Sequence, residues 1–245
     1  MNKSLLGIID ATQNFESLDI LTNHRNVAAL PIAGRFRLID FILSSMVNSG
    51  ISNVAVYPQY HFRSLMDHLG TGKNWDLNRK RDGLFFLPVP HTAETNGEIT
   101  SLEHFSYHMT YLERSEQEYV VVANSHTVCN IDFNAVLKEH LKHGGDITEV
   151  KKGKISLGIY VLKKDLLVKL IEERQETGYT SVSEAVHDHY SGFKVHVFEY
   201  DGYLAVVDSI SSYFQTSMEL LKVDNWYQLF MKTSPIYTKV KDEPP

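Results

Sequence analysis

The chain has 245 residues, 43% of them apolar and 11% aromatic, and a formal net charge of −6. That is enough apolar material for one large α/β domain or two small ones. The acidic balance gives no electrostatic reason to expect nucleic acid or an anionic membrane as partner. The apolar run at residues 5–9 is too short for a signal peptide, and no segment approaches the ~20 apolar residues of a spanning helix. The expectation is therefore a cytoplasmic protein. A single cysteine, Cys129, excludes an internal disulfide and reads as a small core residue. The twelve histidines are scattered without metal-ligand spacing. His187 and His189, two apart, would face different sides of a helix, and the set reads as mostly surface residues.

Residues 5–9 read as a buried first strand ending in a polar loop. Residues 36–46 carry apolar side chains at helical spacing, with Gly50 placed to close the helix. Residues 53–57 read as a second strand, 61–68 as a short helix ended by Gly70 and Gly72, and 73–83 as a charged loop. Residues 84–89 form a strand closed by Pro88 and Pro90. A polar loop at 91–98 then leads into a helix over 101–114. Residues 119–123, Tyr-Val-Val-Val-Ala, are an unbroken β-branched run that suits a central parallel strand. A helix over 132–143 follows, with Gly144-Gly145 after it.

Strands alternating with helices at this interval imply an α/β fold, an open and mostly parallel mixed sheet with helices on both faces. Ligands of such sheets bind beyond the carboxyl ends of the strands. The loops at 10–26, 58–60, 90–100 and 124–131 therefore matter most. In the second half, strands at 146–150 and 155–162 are joined by Lys151-Lys152-Gly153-Lys154, which is either a tight hairpin turn or the mark of a missing loop. Helices follow at 164–173 and 181–190, the latter with Ser181 as N-cap and Glu184 completing a capping box. A strand at 193–200 and a helix at 211–223 complete the set. The polar, Pro-rich residues 239–245 read as a linker after a domain spanning 1–238.

Pro31-Ile32-Ala33-Gly34-Arg35-Phe36-Arg37-Leu38-Ile39-Asp40-Phe41 resembles the Pro-Phe-Gly-Gly-Lys-Tyr-Arg-Ile-Ile-Asp-Phe signature of glucose-1-phosphate adenylyltransferases. Asn48-Ser49-Gly50-Ile51, Gln59-Tyr60, Ser156-Leu157-Gly158-Ile159-Tyr160, Gly202-Tyr203 and Ser212-Tyr213 match later elements of that family, in order. The resemblance implies a Rossmann-like nucleotidyltransferase fold, with residues 239–245 leading to a left-handed β-helix domain. The family joins ATP and glucose 1-phosphate into ADP-glucose and diphosphate, for glycogen or starch.

That reaction needs donors around a triphosphate and a divalent cation bridging both substrates. The family supplies a Gly-Gly-x-Gly-x-Arg loop. Here the corresponding positions carry Thr12, Gln13, Phe15 and Ser17, with Glu16 adding negative charge beside a polyanion. The family's lysine before the signature becomes Val27. Asn124-Ser125-His126 stands for Gly-Asp-His, so one metal carboxylate becomes Ser125. The second metal position falls on Val206, and Asp208, two residues on, would substitute only through a backbone shift of about 7 Å. The nucleotide element Gly-Thr-Ala-Asp-Ala is not recognisable near 95–103.

The resemblance therefore implies a regulatory, catalytically deficient subunit of D type, with a vestigial nucleotide pocket (Ala11, Thr12, Gln59, Tyr60, Ser125) and a vestigial sugar-phosphate pocket (Glu184, Tyr203, Asp208). No residue is expected to be catalytic or to hold the family's Mg²⁺, and no cofactor is expected. The implied partner is the catalytic subunit, in a heterotetramer, with a small-molecule effector besides. Two alternatives stay open: an active enzyme using Asp208 or Asp10 for metal, and a metabolite-sensing domain. The plainer readings are an Arg37–Asp40 ion pair, a satisfied loop histidine at His126, and a solvated loop at Arg79-Lys80-Arg81. Phe85, Phe86, Tyr107 and Tyr111 read as core or subunit contact.

Overall fold

The computed structural model describes residues 4–90 and 99–240, so the expected loop at 91–98 and the linker from 241 onward lie outside the described residues. β1 (Leu5–Ala11) is wholly buried. Its side chains alternate between the two sheet faces, Leu5 and Ile9 entering one core cluster and Leu6 and Ile8 another, as the period of two requires. A small ribbon of β2 (Pro31–Ile32) and β3 (Phe36–Arg37) leads into α1 (Leu38–Asn48). β4 (Asn53–Pro58), α2 (Arg63–Leu69) and β5 (Gly83–Phe86) follow. After α3 (Ser101–Ser106) and α4 (Met109–Arg114) come β6 (Tyr119–Asn124), β7 (Thr127–Val128) and α5 (Phe133–His143).

The second half contains β8 (Ile147–Lys152), β9 (Ile155–Lys163), α6 (Lys164–Glu172), α7 (Arg174–Thr177), α8 (Val182–His187) and β10 (Val195–Glu199). It ends in β11 (Ala205–Val206), α9 (Ile210–Glu219) and α10 (Val223–Phe230). Seven strands form the main sheet in the order β10-β8-β9-β6-β1-β4-β5. β1 runs parallel to β4 and β6, β4 to β5, and β8 to β10, while β9 is antiparallel to both β6 and β8. This is the mostly parallel mixed sheet expected. The β6 run is buried but has an antiparallel neighbour, because an apolar run reports burial on both faces and not strand direction.

Several boundaries differ from the sequence reading for local reasons. α1 begins at Leu38 because the Asp40 carboxylate accepts the Arg37 N–H at 2.9 Å, capping the helix there. The helix expected over 101–114 breaks at Tyr107-His108. His104 and His108 are each anchored to the exit of β5, with Nε2 at 2.9 Å from the Leu87 carbonyl and 2.8 Å from that of Pro88. Ser181 caps α8, but Glu184 turns back to the N–H of Thr180 at 2.7 Å and not to that of Ser181, so no capping box closes. The β8–β9 connection is a two-residue hairpin with Gly153 at φ 59°, the first central position where a type II′ turn calls for glycine.

Most of the described histidines lie at or near the surface, as expected, but four of them, His68, His104, His126 and His140, are buried. Cys129 lies fully buried in the core. A third core cluster sits beside the β2–β3 ribbon, joining Leu30, Phe36 and Phe41 to Tyr203, Val207 and Leu229. Beyond α10 the chain runs back over α1, the Tyr237 N–H donating to Ser44 Oγ at 2.8 Å. Among the described residues no helix is long and apolar enough to cross a membrane.

Candidate functional site

The sheet register brings the ends of three strands level: Asp10 pairs with Tyr57 of β4 and Asn124 of β6. The chain turns there, and the turn is held from inside. Asp10 is 9% exposed. Its Oδ1 accepts the Thr12 N–H at 3.0 Å and the Thr12 hydroxyl at 2.6 Å, and its Oδ2 accepts the Ser101 hydroxyl. A phosphate-binding turn offers free backbone N–H groups to an anion. Here the protein's own carboxylate already takes the Thr12 N–H.

On the neighbouring strand Asn124 builds a comparable closed turn. Its Oδ1 accepts the N–H groups of His126 and Thr127 at 3.1 and 3.0 Å, and its Nδ2 donates to the Leu157 carbonyl at 2.8 Å. β9 makes room for this amide with Gly158, at φ +64°; a Cβ there would lie 2.0 Å from Asn124 Nδ2. His126 is buried against the edge of Phe15, with ring centroids 4.8 Å apart. It is not the satisfied loop histidine expected, since its Nδ1 has no hydrogen-bond partner. Desolvation pushes its pKa down to about 4, against the opposing influence of Asp10 and Asp208.

A cleft opens between these turns and the start of α8. It has two adjoining parts that share Gln13, Ser101, Ser181 and Ser183: Asp10, His126 and Ser156 line one, and Thr12, Thr100, Glu184 and His187 the other. Among the described residues lining either part there is no lysine and no arginine. Residues 91–98 contain neither type in sequence.

Of the residues expected in two vestigial pockets, Thr12 and Glu184 face this cleft. Ala11 and Ser125 are buried at 0% and 1% exposure. Gln59 is occupied by the chain: with its amide oriented so that Nε2 donates to the Ile99 carbonyl and Oε1 accepts the Ile99 N–H, both distances are 3.0 Å. The Tyr60 ring is exposed, and its carbonyl accepts from Asn26 Nδ2 at 3.2 Å. Tyr203 lies in the third core cluster with its hydroxyl 3.3 Å from Glu219 Oε2. Asp208 is exposed and accepts the Ser212 hydroxyl at 3.0 Å, beside the N-cap of α9.

The residues at the family's metal positions do not fit a divalent cation. Ser125 is neutral and buried, and Val206 is held in the β7–β11 ribbon opposite Thr127; neither offers an anionic oxygen. The ion pair expected between Arg37 and Asp40 gives way to a buried hydrogen bond between Asp40 and His68, with Nε2 2.6 Å from Oδ1, while the Arg37 guanidinium donates to the Ser64 carbonyl. Arg79 pairs locally with Asp76. Phe85 packs on Tyr111 with centroids 4.9 Å apart. Sequence reasoning did not place Ser101, Ser156 or Ser183 in the site: Ser156 stood in a family-like run, and Ser101 and Ser183 carry no local signal. Asp10 had one: a charged residue directly ending an apolar strand.

The nucleotidyl transferase family matches this chain over residues 17–154, and the chain belongs to that family. It is 51% identical over 244 residues to the glycogen biosynthesis protein GlgD of Bacillus subtilis (strain 168), covering all of this chain and 71% of that protein. To GlgD of Geobacillus stearothermophilus it is 53% identical over 247 residues, covering all of this chain and 72% of that protein. Within nucleotidyl transferases it thus falls in the family of the glycogen biosynthesis protein GlgD. A glucose-1-phosphate adenylyltransferase of Clostridium novyi (strain NT) is a more distant relative, 26% identical over 289 residues, with all of this chain and 74% of the relative covered. The GlgD alignments run about as long as the chain itself, leaving no room for a long insertion, whereas the adenylyltransferase alignment runs well beyond it.

Proposed function

We propose that this chain is the nucleotidyltransferase-like domain of a regulatory subunit in glycogen biosynthesis, deficient in catalysis itself. It works by assembling with a catalytic glucose-1-phosphate adenylyltransferase, as a heterotetramer. A left-handed β-helix domain follows it in the full-length protein. The observation that carries the reading is the cleft at the strand ends: among the described residues no lysine or arginine lines it, and Asp10 fills the turn from within. Transfer of an adenylyl group onto a sugar phosphate needs cations and free donors at that place. Loss of a phosphate arginine and of a metal carboxylate costs a factor on the order of 10² or more in rate apiece. Assembly also needs surface. α9 and α10 leave Phe214, Leu221, Val223 and Tyr227 between 57% and 78% exposed, an apolar extent that association would bury.

The test is ADP-glucose formation by this protein alone, by a catalytic adenylyltransferase alone, and by the two mixed. Inactivity alone with stimulation in the mixture is the expected result. Turnover by this protein alone overturns the proposal. A second reading, a metabolite-sensing cleft, draws on the serine hydroxyls and the unpartnered His126 Nδ1 that line it. A ligand-induced rise in melting temperature without turnover would favour it.

A further inference from the structure

Away from the cleft, one cluster of possible metal ligands stands out among the described residues. Glu139 and His143 lie one helical turn apart on α5 and therefore on the same face. β10, at the edge of the sheet, brings His196 against that face. One ligand atom from each of the three residues lies within 4.8 Å of the others. The two imidazole rings stack with centroids 3.9 Å apart at 18°. His143 Nε2 is 3.1 Å from Glu139 Oε2.

We propose that Glu139, His143 and His196 bind a divalent transition-metal ion of the Zn²⁺ class, pinning α5 to edge strand β10. Two imidazoles and one carboxylate are a donor set that favours Zn²⁺ over Mg²⁺. Ligand bonds of about 2.0–2.2 Å in a tetrahedral site bring the three donors to about 3.3–3.6 Å apart. That contraction, and the rotation of one imidazole out of the stack so that both nitrogen lone pairs point at the ion, falls to side-chain ends that are free to move, since Glu139 and His143 are 34% and 42% exposed. The backbone beneath them is already fixed. His196 is paired to Thr148 of β8, and the adjacent His140 ties α5 to the same strand through Thr148 Oγ1 at 2.8 Å. Lys142, 3.6 Å from Glu139 Oε2 and 65% exposed, is the competing cation and can swing into solvent. Three protein ligands leave one position for water.

The test is thermal melting of the untagged protein with Zn²⁺, and with Mg²⁺ as contrast. Zn²⁺ at a hundredfold excess over its Kd should raise the midpoint by about 5–10 °C for a domain of this size, and Mg²⁺ should not. His143→Ala and His196→Ala change partly exposed side chains, so both variants should fold, and each should lose the shift. Co²⁺ provides a second readout, its visible absorption reporting imidazole coordination in the parent chain and not in the variants. No Zn²⁺ shift in the parent chain overturns the assignment. So does an equal shift in the doubly substituted H143A/H196A chain, which would place the ion elsewhere.

Discussion

Gly158 gives the sharpest test of how the closed turn at the cleft is built. Alanine there meets two costs. The first is backbone strain, since φ is +64° and a side chain in that left-handed region costs about 1–2 kcal/mol. The second is steric, since the new Cβ would lie 2.0 Å from Asn124 Nδ2. Asn124 must then move, and it holds hydrogen bonds to Leu157, His126 and Thr127, each worth about 0.5–1.5 kcal/mol. Losing one or two of them brings the total for Gly158→Ala to roughly 2–5 kcal/mol. Urea unfolding of the parent chain, Gly158→Ala, Asn124→Ala and the double variant separates the two costs. In the Asn124→Ala background the clash is gone, so Gly158→Ala should cost only the backbone share, about 1–2 kcal/mol. A Gly158→Ala cost under about 0.5 kcal/mol, or one that does not change when Asn124 is removed, would refute the account.

Asp40→Ala leaves His68 without its partner in the interior and uncaps α1. It should destabilise the chain by roughly 2–5 kcal/mol in urea melts, from the unsatisfied buried imidazole and the lost cap, and a cost near zero contradicts the pairing. Burial holds His104 and His126 neutral, their pKa values pushed down to about 4 from the ordinary 6.5. The unfolded chain therefore takes up their protons first as pH falls. Stability from the neutral forms is complete above pH 6.5 and drains away towards pH 4, by at most about 1.4 kcal/mol per pH unit for each histidine. Unfolding free energies measured at pH 7.5 and 5 should differ accordingly, and His126→Phe should flatten the slope. Cys129 is fully buried and its thiol is pushed up to about 12, so thiol reagents should label it only when denaturant opens the fold. Rapid labelling of the native chain would contradict that.

The strand and helix order was legible because burial leaves a local trace: residues 5–9 and 119–123 are apolar runs in sequence and lie within the buried strands Leu5–Ala11 and Tyr119–Asn124. The signature around Phe36–Arg37 and the start of α1 was equally plain, and so was the absence of a glycine-rich turn after β1. Helix boundaries were less visible. The break between α3 and α4 depends on carbonyls of Leu87 and Pro88 that reach His104 and His108 from another element. α10 was not foreseen.

The cleft divides in the same way. That the phosphate-loop glycines and arginine are gone is written in residues 12–17 themselves, because backbone access and charge belong to single residues. What stands in their place was not. Ser101 meets Asp10 across 91 positions, and Asn124 settles against Gly158 of an antiparallel strand. The Asp40–His68 pair and the Glu139–His143–His196 cluster likewise join residues on different elements. Sequence determined most of the elements, the family and the residue types at the phosphate-loop positions, each set by neighbouring residues. Tertiary structure alone decided which polar side chains satisfy one another, because those partners meet only once the strands have registered and the helices have docked.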